Sequence, residues 1–215
     1  MRSLPLLAAA LLATGAIAQQ SGAQQPAAQP NPPMPMPGVP DASRVTAGTY
    51  AVEPSHTQLI FAVDHMGFSI FRGFLSQASG TLTLDPAKLS ATQLSVTIPV
   101  GSIRTTSAKL DEELNSADWL DTRQFPTATF VSTKIALGPQ GAAMIDGNLT
   151  LHGVTKPARM LVHFRGAGSN PLSKASTIGF DGRMTIARSQ FGVTKYVPLV
   201  SDHVEVTIAA AFEKK

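Results

Sequence analysis

Residues 56–75 read HTQLIFAVDHMGFSIFRGFL. Leu59, Phe61 and Val63 alternate along one face, and His65 ends that face with a polar group. Ser69, Phe71, Gly73 and Leu75 then alternate against Ile70, Arg72 and Phe74. Period-two patterning in β-branched and aromatic residues means strands. Much of the pattern is apolar on both faces. A two-layer sheet needs less than that, whereas a closed barrel that holds an apolar ligand needs it.

Working outward, the flanks read the same way. Tyr50 and Val52 alternate in a short first strand, and the 69–75 strand continues through Ser79-Gly80 into TLTLD. Asp85-Pro86 makes a turn. Leu94, Val96, Ile98 and Val100 alternate next, with Pro99 marking an edge or bulge. From Thr105 the period changes. Leu110, Leu114 and Ala117 are spaced by four and three with acidic residues between them, which is an amphipathic helix with Thr106 or Ser107 as N-cap. Ser116 caps a second short turn carrying Trp119 and Leu120. Strands resume at 127–137, and Gly138-Pro139-Gln140-Gly141 is a turn. Residues 142–152 and 154–166 form a pair. A hairpin turn at Asp146-Gly147 would leave only a stub of strand, so a bulge or bend there is the better reading. Phe180, Gly182, Met184 and Ile186 belong to another strand, and Val204, Val206, Ile208 and Ala210 to the last. The expectation is an all-β chain: an eight-stranded antiparallel, up-and-down barrel, lipocalin-like, with a short helical insert near residues 106–121 at its mouth.

The N-terminal residues stand apart from this pattern. Arg2 is a short positive region, Leu4–Ile17 an apolar run, and Ala16-Ile17-Ala18 an A-x-A cleavage site. Residues 1–18 are thus expected to be a secretory signal peptide, and the location periplasmic. The run falls short of the roughly 20 residues a spanning helix needs. No later segment is long and apolar enough to span a bilayer, so no integral membrane segment is expected in the mature chain. Residues 19–45 are rich in Pro, Gln and Ala and nearly uncharged, and read as a disordered or polyproline-like spacer or as a ligand for a proline-recognising partner. The domain is expected over 46–215.

The chain has no cysteine, which excludes disulfides, a lipid-modified cysteine, C-x-x-C-H heme attachment and thiolate metal sites. The formal charge is +3, and no Lys/Arg stripe interleaves with aromatics, so nucleic acid is not an expected partner. No G-x-S-x-G elbow, P-loop or G-x-G-x-x-G occurs. Asp202-His203 beside one of many serines is composition rather than a triad, which is defined by geometry. His152, His163 and His203 are scattered along separate strands without metal-site spacing, and no metal is expected.

Several strings, in order, carry a family resemblance. They are His56-Thr57 with L-x-F-x-V-x-H at 59–65, the segment LDEELNSADWLDTRQFPTATFVST at 110–133, GNLTLHGVTKP at 147–157, ARSQFGVT at 187–194 and SDHVEVTI at 201–208. Together they resemble the YceI-like proteins, exported lipocalin-like barrels that bind polyisoprenoids or other long-chain amphiphiles. The match covers nearly all of 47–212. Trp119 stands where Phe is commoner, and Glu113 where His is common. The resemblance implies a polyisoprenoid or long-chain lipid ligand in the barrel, of quinone or polyprenyl type, with no required cofactor and no catalysis.

The resemblance favours the Leu59, Phe61 and Val63 face as the inward one. Phe71, Phe74, Phe130, Leu149, Leu151, Phe180, Met184, Val204 and Val206 are further ligand-binding candidates, and alternation alone does not separate cavity from core. Trp119 and Phe125 flank the helical insert, where they either cover the mouth or pack the helix onto the barrel. His65 points inward near an end. It is placed to hydrogen-bond a head group or to be satisfied by a carboxylate or backbone carbonyl. Arg72 has the same choice between a head group and solvent. A lipid-modifying enzyme and a partner-binding protein using the Pro-rich arm are the alternatives. A homodimer is compatible with the sequence but not demanded by it.

Overall fold

The computed structural model describes residues 35–215. The signal-peptide reading and most of the spacer reading therefore lie outside the described residues. Ten strands follow in order. They are β1 (Gly48–Val52), β2 (Gln58–His65), β3 (Ser69–Leu75), β4 (Ser79–Leu84), β5 (Gln93–Pro99), β6 (Thr127–Leu137), β7 (Ala142–Leu151), β8 (Val154–Ser169), β9 (Ser176–Ala187) and β10 (His203–Lys214). One helix, α1 (Ala108–Asn115), lies between β5 and β6.

Ten pieces make eight strand positions. β1 and β2 both pair with β10, through Val52 opposite Phe212 and then Gln58 opposite Ala209, so they are one strand interrupted at 53–57. Their partners β4 and β3 are likewise one strand bent at 76–78. β5 to β10 then pair antiparallel in sequence order, and β10 closes onto β1 and β2. This is the closed eight-stranded antiparallel barrel the alternation implied, and closure removes the exposed edges of an open sheet.

The interruption at 53–57 is bridged by a side chain. The Ala211 amide donates to Thr57 Oγ1 at 3.1 Å, and the Thr57 hydroxyl reaches the Ala211 carbonyl at 3.3 Å. Thr57 is buried, so its hydroxyl replaces ladder bonds that the extra residues displace. On the far side of β3, Phe74 exchanges two 2.9 Å backbone bonds with Arg104, which continues the wall beyond the end of β5.

The bulge expected near Asp146-Gly147 is present. β7 runs unbroken from 142 to 151, and the register shift falls opposite, on β6 between Ser132 and Lys134. Gly147 has no room for a Cβ, because the Phe130 ring and the Val131 carbonyl occupy that space. The hairpin turn lies instead at His152-Gly153, both left-handed at φ 50° and 73°. His152 is thus a turn residue rather than a strand residue, because a two-residue turn of this hand matches the strand twist.

Ser107 caps α1, its hydroxyl accepting from the Leu110 amide at 3.3 Å. The helix stops at Asn115, and Ala117 falls in the following turn, where the Trp119 amide donates to the Ser116 carbonyl. Backbone contacts with the barrel begin before residue 46. Val39 exchanges backbone bonds of 3.2 and 2.9 Å with Ala167 of β8, and Ala42–Arg44 form a short 3₁₀ turn capped by Asp41. Val39 thus pairs with β8, which presents Gly166 and Gly168 where the backbone of 37–39 lies close. Tyr50, Ala167 and Ile178 are fully buried at this end of the barrel, and the Tyr50 hydroxyl donates to the Thr46 carbonyl at 2.6 Å.

Candidate functional site: an apolar barrel cavity

A cavity of about 620 Å³ occupies the barrel interior, within the ~300–1,000 Å³ usual for small-molecule sites. Period two decides its wall. Leu59, Phe61, Val63 and His65 of β2 line it, as do Phe71 of β3 and Phe130 of β6. Leu149 and Leu151 of β7, Phe180 and Met184 of β9, and Val204 and Val206 of β10 complete the expected set within the cavity. Room for the Phe61 ring comes from Gly73 opposite, where any Cβ would meet that ring.

Two expected residues are not in the wall. Phe74 is an outward, exposed side chain. Phe71 and Phe74 differ by three positions along a period-two strand, so one inside puts the other outside. Phe125 packs instead on the β7–β8 turn, its ring edge-on to His152 with centroids 4.5 Å apart and against Gly153. Only glycine at 153 leaves space for that ring. Arg72 is exposed and reaches no further than the Ile70 carbonyl, so it belongs to solvent.

The ionisable side chains that line the cavity are His65, Glu113, Arg188 and Tyr196, all at the end covered by α1 and the 193–200 loop. The remainder of the wall is almost wholly hydrocarbon. Among the described residues the His65 ring has no hydrogen bond, and it lies 6.4 Å from the Phe71 ring. Neither a carboxylate nor a carbonyl satisfies it.

Arg188 is the residue the alternation should have delivered and did not. It extends Phe180, Gly182, Met184 and Ile186 by one step, as His65 extends the β2 face. It is buried, and its guanidinium donates to four backbone carbonyls. These are Ser201 at 3.0 Å from Nε, Val193 and Lys195 at 2.9 Å from Nη1, and Val200 at 2.8 Å from Nη2. Burial pulls its pKa below the ordinary guanidinium value, with Asp202 opposing that shift. An arginine stays protonated through such shifts, so the planar cation acts as a fixed clasp on the loop.

Trp119 covers the mouth and is held from three sides. Its indole N–H donates to Glu113 Oε1 at 3.0 Å, the Arg188 guanidinium lies 5.4 Å from its ring centroid, and the Tyr196 ring meets it edge-on at 5.9 Å. Lys195 spans Glu113 at 3.5 Å and Asp118 at 3.1 Å, which ties α1 to the loop. Covering the mouth and packing the helix are one arrangement here, not alternatives. At the other end of the cavity Thr92 Oγ1 is buried without a partner among the described residues.

Ser189 donates directly to Asp202 Oδ2 at 2.7 Å, so no imidazole stands between serine and carboxylate as a triad requires. No group of three or more metal-ligating side chains occurs among the described residues.

Comparison with known proteins agrees with this geometry. The family model described as YceI-like domain matches residues 50–212. A UPF0312 protein of Shewanella baltica (strain OS185) is 35% identical over 172 residues, covering 79% of this chain and 90% of that protein. A UPF0312 protein of Ectopseudomonas mendocina (strain ymp) is 34% identical over 165 residues, covering 76% and 86%. Among solved structures, BcnA of Burkholderia cenocepacia superposes with a TM-score of 0.67 at 26% identity, over 74% of this chain and 98% of that one. A polyisoprenoid-binding domain from Saccharophagus degradans superposes at 0.57 and 16% identity, over 77% and 98%, a likeness of fold alone. With a domain model matched across the barrel and relatives one third identical over most of its length, the chain belongs to the YceI-like family.

Proposed function

We propose that the barrel binds a polyisoprenoid or other long-chain amphiphile, of quinone or polyprenyl type, and carries or sequesters it across an aqueous compartment. The cavity supports this reading: a closed hydrocarbon wall whose ionisable groups gather at one end matches a ligand with a long apolar tail and one polar head. The head is placed beside the unpartnered His65 ring and the tail along Phe61, Met184 and Val206. A histidine ring hydrogen-bonds polar groups through its two nitrogens, which suits a hydroxyl or quinone carbonyl. The Saccharophagus degradans domain that shares the fold is a polyisoprenoid-binding domain, and the same ligand class fits this wall.

Burial supplies ample driving force. An isoprene unit of five carbons gains about 4 kcal/mol gross at about 0.8 kcal/mol per methylene-sized group. A few units approach the practical ceiling on affinity, so ordering of tail and barrel must offset much of the sum. We read the chain as a carrier that needs no cofactor and performs no catalysis. Residues 1–18 support export, and a periplasmic location fits a carrier whose cargo has almost no free concentration in water.

The test is direct. Protein purified without detergent is extracted with organic solvent, and the extract is analysed by mass spectrometry. A single long-chain species at near-stoichiometric amount is the expected result. An empty extract, with no uptake of added quinone or polyprenol, overturns the reading.

A further inference from the structure

We propose that the rim at the α1 end of the barrel docks onto a lipid bilayer. The rim is formed by the Met66-Gly67-Phe68 turn between β2 and β3 and by the Tyr196–Leu199 loop. Phe68 is 87% and Leu199 61% exposed, and Met66, Ile70 and Tyr196 are each about half exposed. Two hydrogen bonds hold the turn and the loop together, from the Met66 amide to the Leu199 carbonyl at 2.8 Å and from the Ser201 amide to the Asp64 carbonyl at 2.9 Å. The exposed side chains therefore form one patch rather than scattered singletons.

Three observations choose the occupant. Met66 and Tyr196 line the cavity as well as the patch, so apolar surface continues from the lumen to the outside. A long-chain lipid could cross there without meeting water, which is what transfer from a bilayer requires. The patch comprises five exposed apolar side chains, well short of the ~20–30 residues that each partner contributes to a standard protein interface. Finally, neither Met66–Ile70 nor Tyr196–Val200 contains a charged residue. Of the neighbouring charges, Asp64 accepts from the Gly67 amide at 2.7 Å and Lys195 bridges Glu113 and Asp118, while Arg72, two residues beyond Ile70, stays exposed at the edge of the patch. The surface suits the apolar boundary of a membrane, not its anionic head groups.

This inference rests on the lipid-carrier reading, and one set of samples separates the two. Purified protein is floated with phosphatidylcholine vesicles, and the same protein is solvent-extracted for lipid. The expected result is flotation that is unchanged between about 0.05 and 0.5 M salt. Phe68→Asp and Leu199→Asp should each lower the vesicle-bound fraction about tenfold while keeping the extracted lipid. Leu172→Asp, an exposed leucine in the β8–β9 turn at the opposite end, should float like the unaltered protein. Phe68→Ser repeats the test without a new charge. The inference is overturned if the rim variants float normally, if binding demands anionic lipid and vanishes in salt, or if Leu137→Asp at the far end loses flotation instead. It is also overturned if sedimentation shows a dimer that Phe68→Asp dissociates, since a second copy would then be the occupant. Lipid in the extract without flotation overturns the inference and leaves the carrier reading; flotation with an empty extract does the reverse.

Discussion

Replacing Arg188 with lysine keeps the charge and removes the geometry. The guanidinium places N–H groups on the carbonyls of Val193, Lys195, Val200 and Ser201 at once. A lysine ammonium has three donors on one nitrogen, so at least one of these carbonyls loses its partner. A buried polar group left unsatisfied costs about 1–3 kcal/mol. The Trp119 face also loses its planar cation, worth about 0.5–2 kcal/mol. The expected destabilisation is about 2–5 kcal/mol. For a domain of this size it lowers Tm by about 5–15 °C. Trp119 is the chain's single tryptophan, so its fluorescence reports on the mouth alone. Arg188→Lys should shift that emission toward the solvent-exposed value well below the global melt, as the 193–201 loop opens first. Thermal melts followed by tryptophan emission and by far-UV circular dichroism make the comparison. A Tm within about 1 °C of the parent, with coincident melts, would refute the view that four carbonyls depend on this side chain.

Other consequences follow from the same geometry. Val206→Trp, facing Phe61 and Met184 in the middle of the cavity, should cut extracted lipid by about tenfold or more with the fold retained, read by mass spectrometry beside a circular dichroism spectrum. Thr57→Val keeps the shape but leaves the Ala211 amide without its acceptor, and should cost about 1–3 kcal/mol in urea unfolding; no change in midpoint would mean water takes the place of the hydroxyl. Acid should loosen the mouth through Asp202. Its hydrogen bonds from Ser189 hold its pKa below the ordinary carboxylate value. A depressed folded pKa gives stability that is complete above the unfolded value of about 3.9 and lost as pH falls through the folded one. Asp202→Asn should therefore flatten part of the decline in Tm below about pH 4, and an unchanged acid profile would count against the link.

Local patterning and tertiary closure contributed different parts of this protein. Period two is a property of each strand by itself, so Leu59-Phe61-Val63-His65 and Phe180-Gly182-Met184-Ile186 were legible as faces, and with them most of the cavity wall. The helix was legible too, because Ser107 and the change to three-and-four spacing act within one turn of chain. The same parity places Phe74 outside once Phe71 is inside, and it carries Arg188 inward from Ile186. Both were readable from alternation pursued one step further.

What remained beyond the sequence are the contacts made by turns and loops. Phe125 finds His152 and Gly153 only because β6 begins beside the end of β7. The partners of Arg188 lie on a loop whose path no periodicity encodes, and Val39 meets Ala167 across more than a hundred residues of chain. The sequence determined a cysteine-free chain whose alternating strands close on an apolar interior. The tertiary structure alone decided where that interior leaves a cavity, which polar groups gather at its mouth, and which apolar side chains remain on the rim. A strand's alternation is set by its own backbone geometry, whereas a cavity is the space several strands leave between them when they close.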